Sequence, residues 1–83
     1  MDKSIHSRKY KIAISLLKEA RIVAGITQIQ LAVKLDETQT FISKYERGER
    51  RLDIIEVRSI CEAMDVNFIE FIKAMEKELN KLR

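Results

Sequence analysis

The feature that most limits the fold of this 83-residue chain is its lack of turn-forming residues, since it has no proline and only two glycines, Gly25 and Gly48. Strands and hairpins are usually bounded by glycine and proline, so their scarcity favours helices joined by short turns. A chain this short forms one compact unit around one core. The sequence therefore predicts a single all-α domain.

Apolar residues recur at helical spacing in five segments, which predicts five helices. The glycines are placed to end the first and third helices. Polar residues suited to cap a helix N-terminus mark the starts of the second to fifth helices, namely Thr27, Thr38, Asp53 and Asn67. The first predicted helix covers residues from about 9 to 24, and the third covers residues from 39 to about 47. The second, fourth and fifth begin at residues 27, 53 and 67, and the fifth continues toward the C-terminus.

The same periodicity predicts which side chains form the core. The first helix directs inward Ala13, Leu16, Leu17, Ala20 and Ala24. The second buries Leu31, Ala32 and Leu35, and the fourth is lined by Ile54, Val57, Ile60, Cys61 and Met64. Each set lies on one side of its helix, as expected for helices packed around a common centre.

Charge is distributed unevenly along the chain. Residues 1–51 carry 11 Lys or Arg against 6 Asp or Glu, whereas residues 52–83 carry 5 against 7. The basic part is the candidate surface for a polyanion, and it fits phosphates better than a membrane. No apolar run approaches the roughly 18 residues needed to cross a bilayer, and the polar first residues resemble neither a signal peptide nor an anchor. We therefore expect a soluble, cytoplasmic protein with no membrane partner.

The chain lacks the residue groupings that catalysis requires. His6 is the only histidine, and it lies in residues 1–8, which we predict to be a flexible basic arm. Cys61 is the only cysteine, and its apolar neighbours favour a small buried hydrophobe over a reactive thiol. The sequence shows no nucleophile with a base, no metal-ligand cluster and no phosphate-binding glycine loop. We expect neither an enzyme nor a bound cofactor or metal.

The most specific pattern in the chain covers residues 27–48. Two short predicted helices are joined by a tight turn, with the small Ala32 where they would cross and Ile42 directed to the core, as in a helix-turn-helix. The stretch GITQIQLAVKLDETQTFISKYERGERRLD resembles the Cro/C1-type (XRE) family of repressor-like DNA-binding domains, and the resemblance extends from residue 16 to residue 71. The matching positions are Gly25, Thr27, Gln28, Leu31, Ala32, Leu35, Gln39, Ile42, Ser43, Tyr45, Glu46, Arg47 and Gly48.

This resemblance implies a five-helix, lambda-repressor-like DNA-binding domain over residues 9–75, with residues 76–83 extending the C-terminal helix. One position departs from the family pattern, because Asp36 stands where the turn usually has glycine. That turn often requires a positive φ, which aspartate adopts more readily than most residues. We expect a small strain and an intact motif.

The resemblance also implies roles for the polar residues around the third, or recognition, helix. The predicted base-reading residues, which would face the major groove, are Thr38, Gln39, Thr40, Ser43 and Lys44. Their side chains suit this task, since Gln can pair with adenine N6 and N7, Lys can donate to guanine O6 or N7, and the Thr methyl can contact the thymine methyl. The predicted phosphate-binding residues are Gln28, Arg47, Arg50, Arg51 and Lys11, and among the lysines of the first helix Lys11 and Lys18 are weaker candidates than the arginines.

Four residues receive structural roles. Arg21 and Glu46 match a charged pair that ties the first helix to the end of the third in this family, so we predict a brace. Gln28 also matches a residue that supports the position of Gln39. Phe41 lies on the recognition helix, and packing against the second helix is favoured over a thymine contact.

The last helix carries an apolar stripe at spacings of three and four, formed by Phe68, Ile72, Met75, Leu79 and Leu82. Its first part closes the core. Leu79 and Leu82 have no obvious partner within the domain, so the candidate dimer residues are Ile72, Met75, Leu79 and Leu82. A two-fold dimer would place two recognition helices about 34 Å apart, which predicts an inverted-repeat operator.

The predicted function is a sequence-specific transcriptional regulator of double-stranded DNA, of repressor type. Two alternatives share the fold, namely an antitoxin with a toxin protein as its partner and a controller of a restriction-modification operon. A third is a protein-interaction module that no longer reads bases, which the intact polar face from Thr38 to Lys44 disfavours.

Overall fold

The computed structural model describes residues 7–82 and shows five α-helices in this part of the chain, with no strand among them. The helices are α1 (Arg8–Val23), α2 (Gln28–Leu35), α3 (Gln39–Glu46), α4 (Ile54–Ala63) and α5 (Phe68–Asn80). The predicted all-α, five-helix fold is confirmed. None of the helices within residues 7–82 is long and apolar enough to span a bilayer.

Each helix begins at a side-chain cap. In each cap, a side-chain oxygen accepts a hydrogen bond from the backbone N–H three residues later. The five cap residues are Ser7, Thr27, Thr38, Asp53 and Asn67. Full capping boxes form at Thr27 with Gln30 and at Asp53 with Glu56. The Ser7 cap was not predicted, and it lets α1 start at Arg8, inside the segment predicted to be an arm. His6 and the rest of that arm lie outside the described residues.

One core lies between the helices. Its buried members are Ile14, Leu17, Leu31, Ala32, Ile42, Tyr45, Leu52, Ile60, Cys61, Met64 and Phe71. Ala32 lies where α2 packs on α3, so only a small side chain fits there. Burial raises the pKa of the Cys61 thiol to about 11, which keeps it protonated near neutral pH.

Two residues predicted to be in the core are exposed. Ala24 is the C-cap of α1, because the helix ends one residue earlier than predicted, and the chain turns away from the core there. Ile54 is the first residue of α4 and is 60% exposed. Leu52, in the segment before that helix, fills the core in its place.

The turns use left-handed backbone conformations. Asp36 has φ 54° and ψ 44°, as its place in the turn between α2 and α3 predicted. Asp65, between α4 and α5, has φ 59° and was not predicted. Such conformations are strained for a residue with a Cβ atom. Each of these two tight turns therefore contains one strained aspartate.

Candidate nucleic-acid interface

The turn between α2 and α3 fixes the angle between the two helices. The Glu37 amide donates to the Ala32 carbonyl at 2.9 Å, and the Asp36 amide donates to the Val33 carbonyl at 3.2 Å. Thr38 then caps α3 by accepting from the Phe41 amide at 3.1 Å. Because these hydrogen bonds hold the turn and cap the next helix, α3 begins at a defined residue and in a defined direction.

Burial on one side of α3 defines which side chains face outward. Ile42 and Tyr45 are fully buried beneath the helix. The predicted base-reading residues lie on the other side, where Thr38, Gln39, Thr40 and Lys44 are exposed and Ser43 is half-buried. The structure thus brings all five to one accessible surface. Amide, hydroxyl and ammonium groups on such a helix provide the donors and acceptors that base edges in a major groove can pair with.

A buried ion pair joins α1 to the end of α3. The Arg21 Nε and Nη2 atoms donate to the two carboxylate oxygens of Glu46 at 2.7 and 3.0 Å, and Arg21 Nη1 donates to the Ile26 carbonyl at 2.8 Å. The Glu46 side chain is 2% exposed and that of Arg21 is 11% exposed. The hydrogen bond to Glu46 raises the pKa of Arg21. Arg21 therefore stays charged, and losing one partner of the pair would leave a buried charge without compensation.

Two glutamines extend this pair to the protein surface. Gln28, the first residue of α2, donates from Nε2 to Glu46 Oε1 at 2.9 Å. Its own Oε1 accepts from Gln39 Nε2 at 3.3 Å. The support of Gln39 by Gln28 was implied by the family resemblance, whereas the bond from Gln28 to Glu46 was missed. No spacing rule could reveal a contact between residues 18 positions apart.

The three arginines after α3 have different partners. Arg47 binds the Glu49 carboxylate and the Ser43 hydroxyl. Arg50 binds the Glu56 carboxylate through two nitrogens, at 2.9 and 3.1 Å. These bonds raise the pKa of Arg50 and lower the pKa of Glu56.

Arg51 has no carboxylate partner within residues 7–82, and its guanidinium lies over the Tyr10 ring, 5.1 Å from the centroid. It is exposed. All three guanidinium groups follow the recognition helix, but Arg51 alone among them is not neutralised by a neighbouring carboxylate in the described chain. Lys11 and Lys18, on α1, are also exposed.

Phe41 is half-buried and packs against the core. Its ring meets that of Tyr45 edge-on, with centroids 5.7 Å apart, and the Arg50 guanidinium lies 4.6 Å from its centroid. A ring held on two sides in this way supports the packing interpretation of Phe41. The contact with Phe41 also places the Arg50 guanidinium beside the first turn of α3.

The end of α5 lies beside the start of α1. Met75, Leu79 and Leu82 share a mostly apolar groove of about 610 Å³ with Tyr10 and Ala13. Leu79 and Leu82 are half-buried along this groove, beside the first turn of α1, but they are not among the side chains packed on the core. Ile72 packs against the core.

Comparison with known proteins gives a consistent result. The family model described as helix-turn-helix matches residues 17–71. An XRE-family like protein from Pseudomonas syringae pv. tomato str. DC3000 is 40% identical, with a TM-score of 0.83, and the match covers 89% of this chain and 90% of that one. No curated protein matches the chain.

Restriction-modification controller protein structures are also similar. The wild-type controller protein C.Esp1396I is 30% identical with a TM-score of 0.82, and the match covers 89% of this chain and 97% of that one. The tetramer of the same controller in complex with its natural 35 base-pair operator is 30% identical with a TM-score of 0.80, covering 88% and 96% of the two chains.

Proposed function

The chain belongs to the XRE family of helix-turn-helix proteins, and on this premise we propose that it is a sequence-specific, double-stranded DNA-binding transcriptional regulator that reads the major groove with α3. The observation that carries the proposal is the orientation of α3, with Ile42 and Tyr45 buried and a row of polar side chains outward. A relative of nearly the same length is bound to its operator. These two facts disfavour a module that no longer reads bases.

We assign base reading to the outward residues of α3. Gln39 has the amide chemistry that pairs with adenine, and Lys44 can donate to guanine. Thr38 and Thr40 offer hydroxyl and methyl groups at the helix start, where recognition helices contact bases. Ser43 accepts a hydrogen bond from Arg47 in this structure, and its hydroxyl keeps a donor for a base edge.

Phosphate binding falls to the positive and amide groups that flank α3. Arg51 is the strongest candidate because it is exposed and unpaired with any carboxylate of residues 7–82. Arg47 and Arg50 would have to exchange a carboxylate for a phosphate, which lowers their net contribution. Gln28 lies at the start of α2, where N–H groups favour an anion, and Lys11 extends the positive surface onto α1.

We further propose that the chain acts as a homodimer on an inverted-repeat operator. A controller of the same fold forms a tetramer on its operator, which supports assembly. The apolar groove at Met75, Leu79 and Leu82 offers a surface for a second copy, and Ile72, one turn before Met75, has only its exposed part to add because it packs against the core. Two-fold symmetry would set the recognition helices about 34 Å apart.

The structural relatives favour one regulatory context. One relative with several solved structures, C.Esp1396I, is a restriction-modification controller whose length is almost completely matched, so a controller-type role is a stronger candidate than an antitoxin with a toxin partner. Such a protein would work in the cytoplasm, where its DNA lies, without enzymatic activity of its own.

Selection of bound sequences from a pool of random double-stranded DNA tests the proposal. We expect enrichment of one motif with two-fold symmetry and half-sites separated by about one helical turn, or 10 base pairs. Enrichment of an asymmetric motif would contradict the homodimer, and failure to enrich any motif would contradict sequence-specific binding.

A further inference from the structure

A series of hydrogen bonds connects the buried ion pair to a side chain that we assign to base reading. Glu46 Oε1 accepts both from Arg21 and from Gln28, and the oxygen of Gln28 accepts from Gln39. From Arg21 on α1 the series passes to Glu46, the last residue of α3. It continues to Gln28, the first residue of α2, and ends at Gln39, the exposed first residue of α3. The buried and the exposed parts of the domain are thereby joined through three side-chain contacts.

The charge of Glu46 fixes the direction of every bond in this series. A carboxylate only accepts hydrogen bonds, whereas an amide has a donating NH₂ group and an accepting oxygen. Gln28 must therefore direct its NH₂ group toward Glu46 and its oxygen away. Gln39 must in turn direct its NH₂ group toward that oxygen. The orientation of an amide, usually ambiguous, follows here from the acceptor at the buried end.

This order determines what Gln39 offers to DNA. After one N–H is used by Gln28, the Gln39 amide retains one N–H and its oxygen. Adenine presents the complementary pair in the major groove, an acceptor at N7 and a donor at N6. The nitrogen of Gln39 lies on the side of α2, so the order of the two contacts along the groove is set before DNA binds. If the Gln39 amide reversed, the Gln28 amide would have to reverse as well, which would place the oxygen of Gln28 against the Glu46 carboxylate.

We propose that Glu46 is a positioning residue for DNA recognition, which acts through Gln28 to set the donor and acceptor order that Gln39 presents to a base edge. Arg21 holds the carboxylate at the required place with two bonds. The Glu46 side chain is 2% exposed, so its effect on recognition is exerted through its hydrogen bonds. This inference rests on the proposed function and adds a role in sequence preference to a pair that also joins α1 to α3.

The test is Glu46→Gln, which keeps the shape of the side chain but adds a donor, so that the series is free to reverse. Binding is measured on the selected DNA site and on its variants at the base pair whose preference depends on Gln39. We expect the preference at that base pair to fall about tenfold or more, while affinity for random DNA stays the same. Glu62→Gln is the matched control, because Glu62 is an exposed carboxylate paired with Arg58.

A purely structural role makes a different prediction. It would lower the melting temperature and leave the base preference of the folded protein unchanged, and that result would overturn the proposal. If Glu46→Gln does not fold at the assay temperature, Gln28→Met interrupts the series and leaves the ion pair in place. The folded Gln28→Met protein must then lose the same preference, and retention of that preference would overturn the proposal as well.

A measurement without DNA separates this inference from the proposed function. In ¹⁵N NMR spectra of the free protein, Glu46→Gln should shift the side-chain amide signals of Gln39, and Glu62→Gln should not. Unchanged Gln39 signals would overturn the positioning role even if the wild-type protein is sequence-specific. Shifted signals in a protein without sequence preference would show that the hydrogen bonds exist but that both the proposed function and the recognition role fail.

Discussion

The backbone amide of Leu52 donates a 2.8 Å hydrogen bond to the phenol oxygen of Tyr10, 42 residues earlier in the chain. The same ring lies beneath the guanidinium of Arg51. Tyr10 thus holds the segment between α3 and α4 at two adjacent residues. That segment carries the arginines that we assign to phosphate contacts, so the first turn of α1 helps to shape the DNA-binding surface.

Tyr10→Phe should lower the free energy of unfolding by about 1 to 2 kcal/mol, because it leaves the partly buried Leu52 amide without its acceptor. Tyr45→Phe is the matched control. The Tyr45 hydroxyl is buried and has no hydrogen-bond partner among residues 7–82, so its removal should leave stability unchanged or raise it. Chemical denaturation measures both. A larger loss for Tyr45→Phe than for Tyr10→Phe would contradict these assignments.

Asp36→Gly should raise the free energy of unfolding by about 0.5 to 1 kcal/mol, because glycine adopts the left-handed conformation without strain. The hydrogen bonds of the turn use backbone atoms and remain. Asp36→Val should lower stability, since a β-branched residue is strained most at positive φ. Thermal melting compares the three proteins, and a glycine variant less stable than wild type would be inconsistent with strain at this position.

Gln39→Ala should weaken binding to the selected site by about 1 to 3 kcal/mol and leave binding to random DNA nearly unchanged. Removing the amide takes away base contacts but no charge. Asn80→Ala, which removes an exposed amide from the far end of α5, should change neither affinity. Equal losses on both DNAs would show that Gln39 does not read a base.

Arg51→Ala should reduce affinity on all sequences and decrease the slope of log K against log salt by about 0.9, the effect of one phosphate contact. Arg58→Ala is the control, since Arg58 is an exposed arginine on α4 to which we assign no DNA contact. Titrations at several salt concentrations provide the slopes. The same slope in wild type and Arg51→Ala would exclude a phosphate contact at this residue.

Leu79→Asp should weaken self-association, because it places a charge in the groove that we assign to a second copy. Removal of residues 76–83 should have the same effect. Lys77→Asp adds a carboxylate at an exposed position of the same helix and serves as control. Sedimentation equilibrium gives the association constants. If folded Leu79→Asp associates as tightly as wild type, the dimer forms through another surface, with the exposed Ile54, Ile55 and Ile69 as the next candidates.

The parts of the fold that could be predicted from the sequence are those determined by neighbouring residues. Thr27, Thr38 and Asp53 cap helices through bonds to amides three residues away, so their spacing identified the helix starts. Ala24 and Ile54 were misassigned because each lies at the edge of a helix, where a shift of one residue changes which side chain faces the core.

The contacts that organise the candidate site were harder to predict because they join distant positions. The bond between Tyr10 and Leu52 and the bond between Gln28 and Glu46 depend on how the helices pack. Amphipathic periodicity describes each helix alone and contains no information on such pairs. The resemblance implied the pairing of Arg21 with Glu46, but the bond from Glu46 to Gln28 depends on how α2 packs against the end of α3.

The way α3 is held has a consequence for how this protein can change over generations. Its start is set by the Thr38 cap and its rotation by two buried side chains, Ile42 and Tyr45. Thr40 and Lys44 contribute to neither constraint, because both project into solvent. Mutations at these two positions can therefore alter the preferred operator while the scaffold persists, so related genes can acquire separate targets in small, individually tolerated steps.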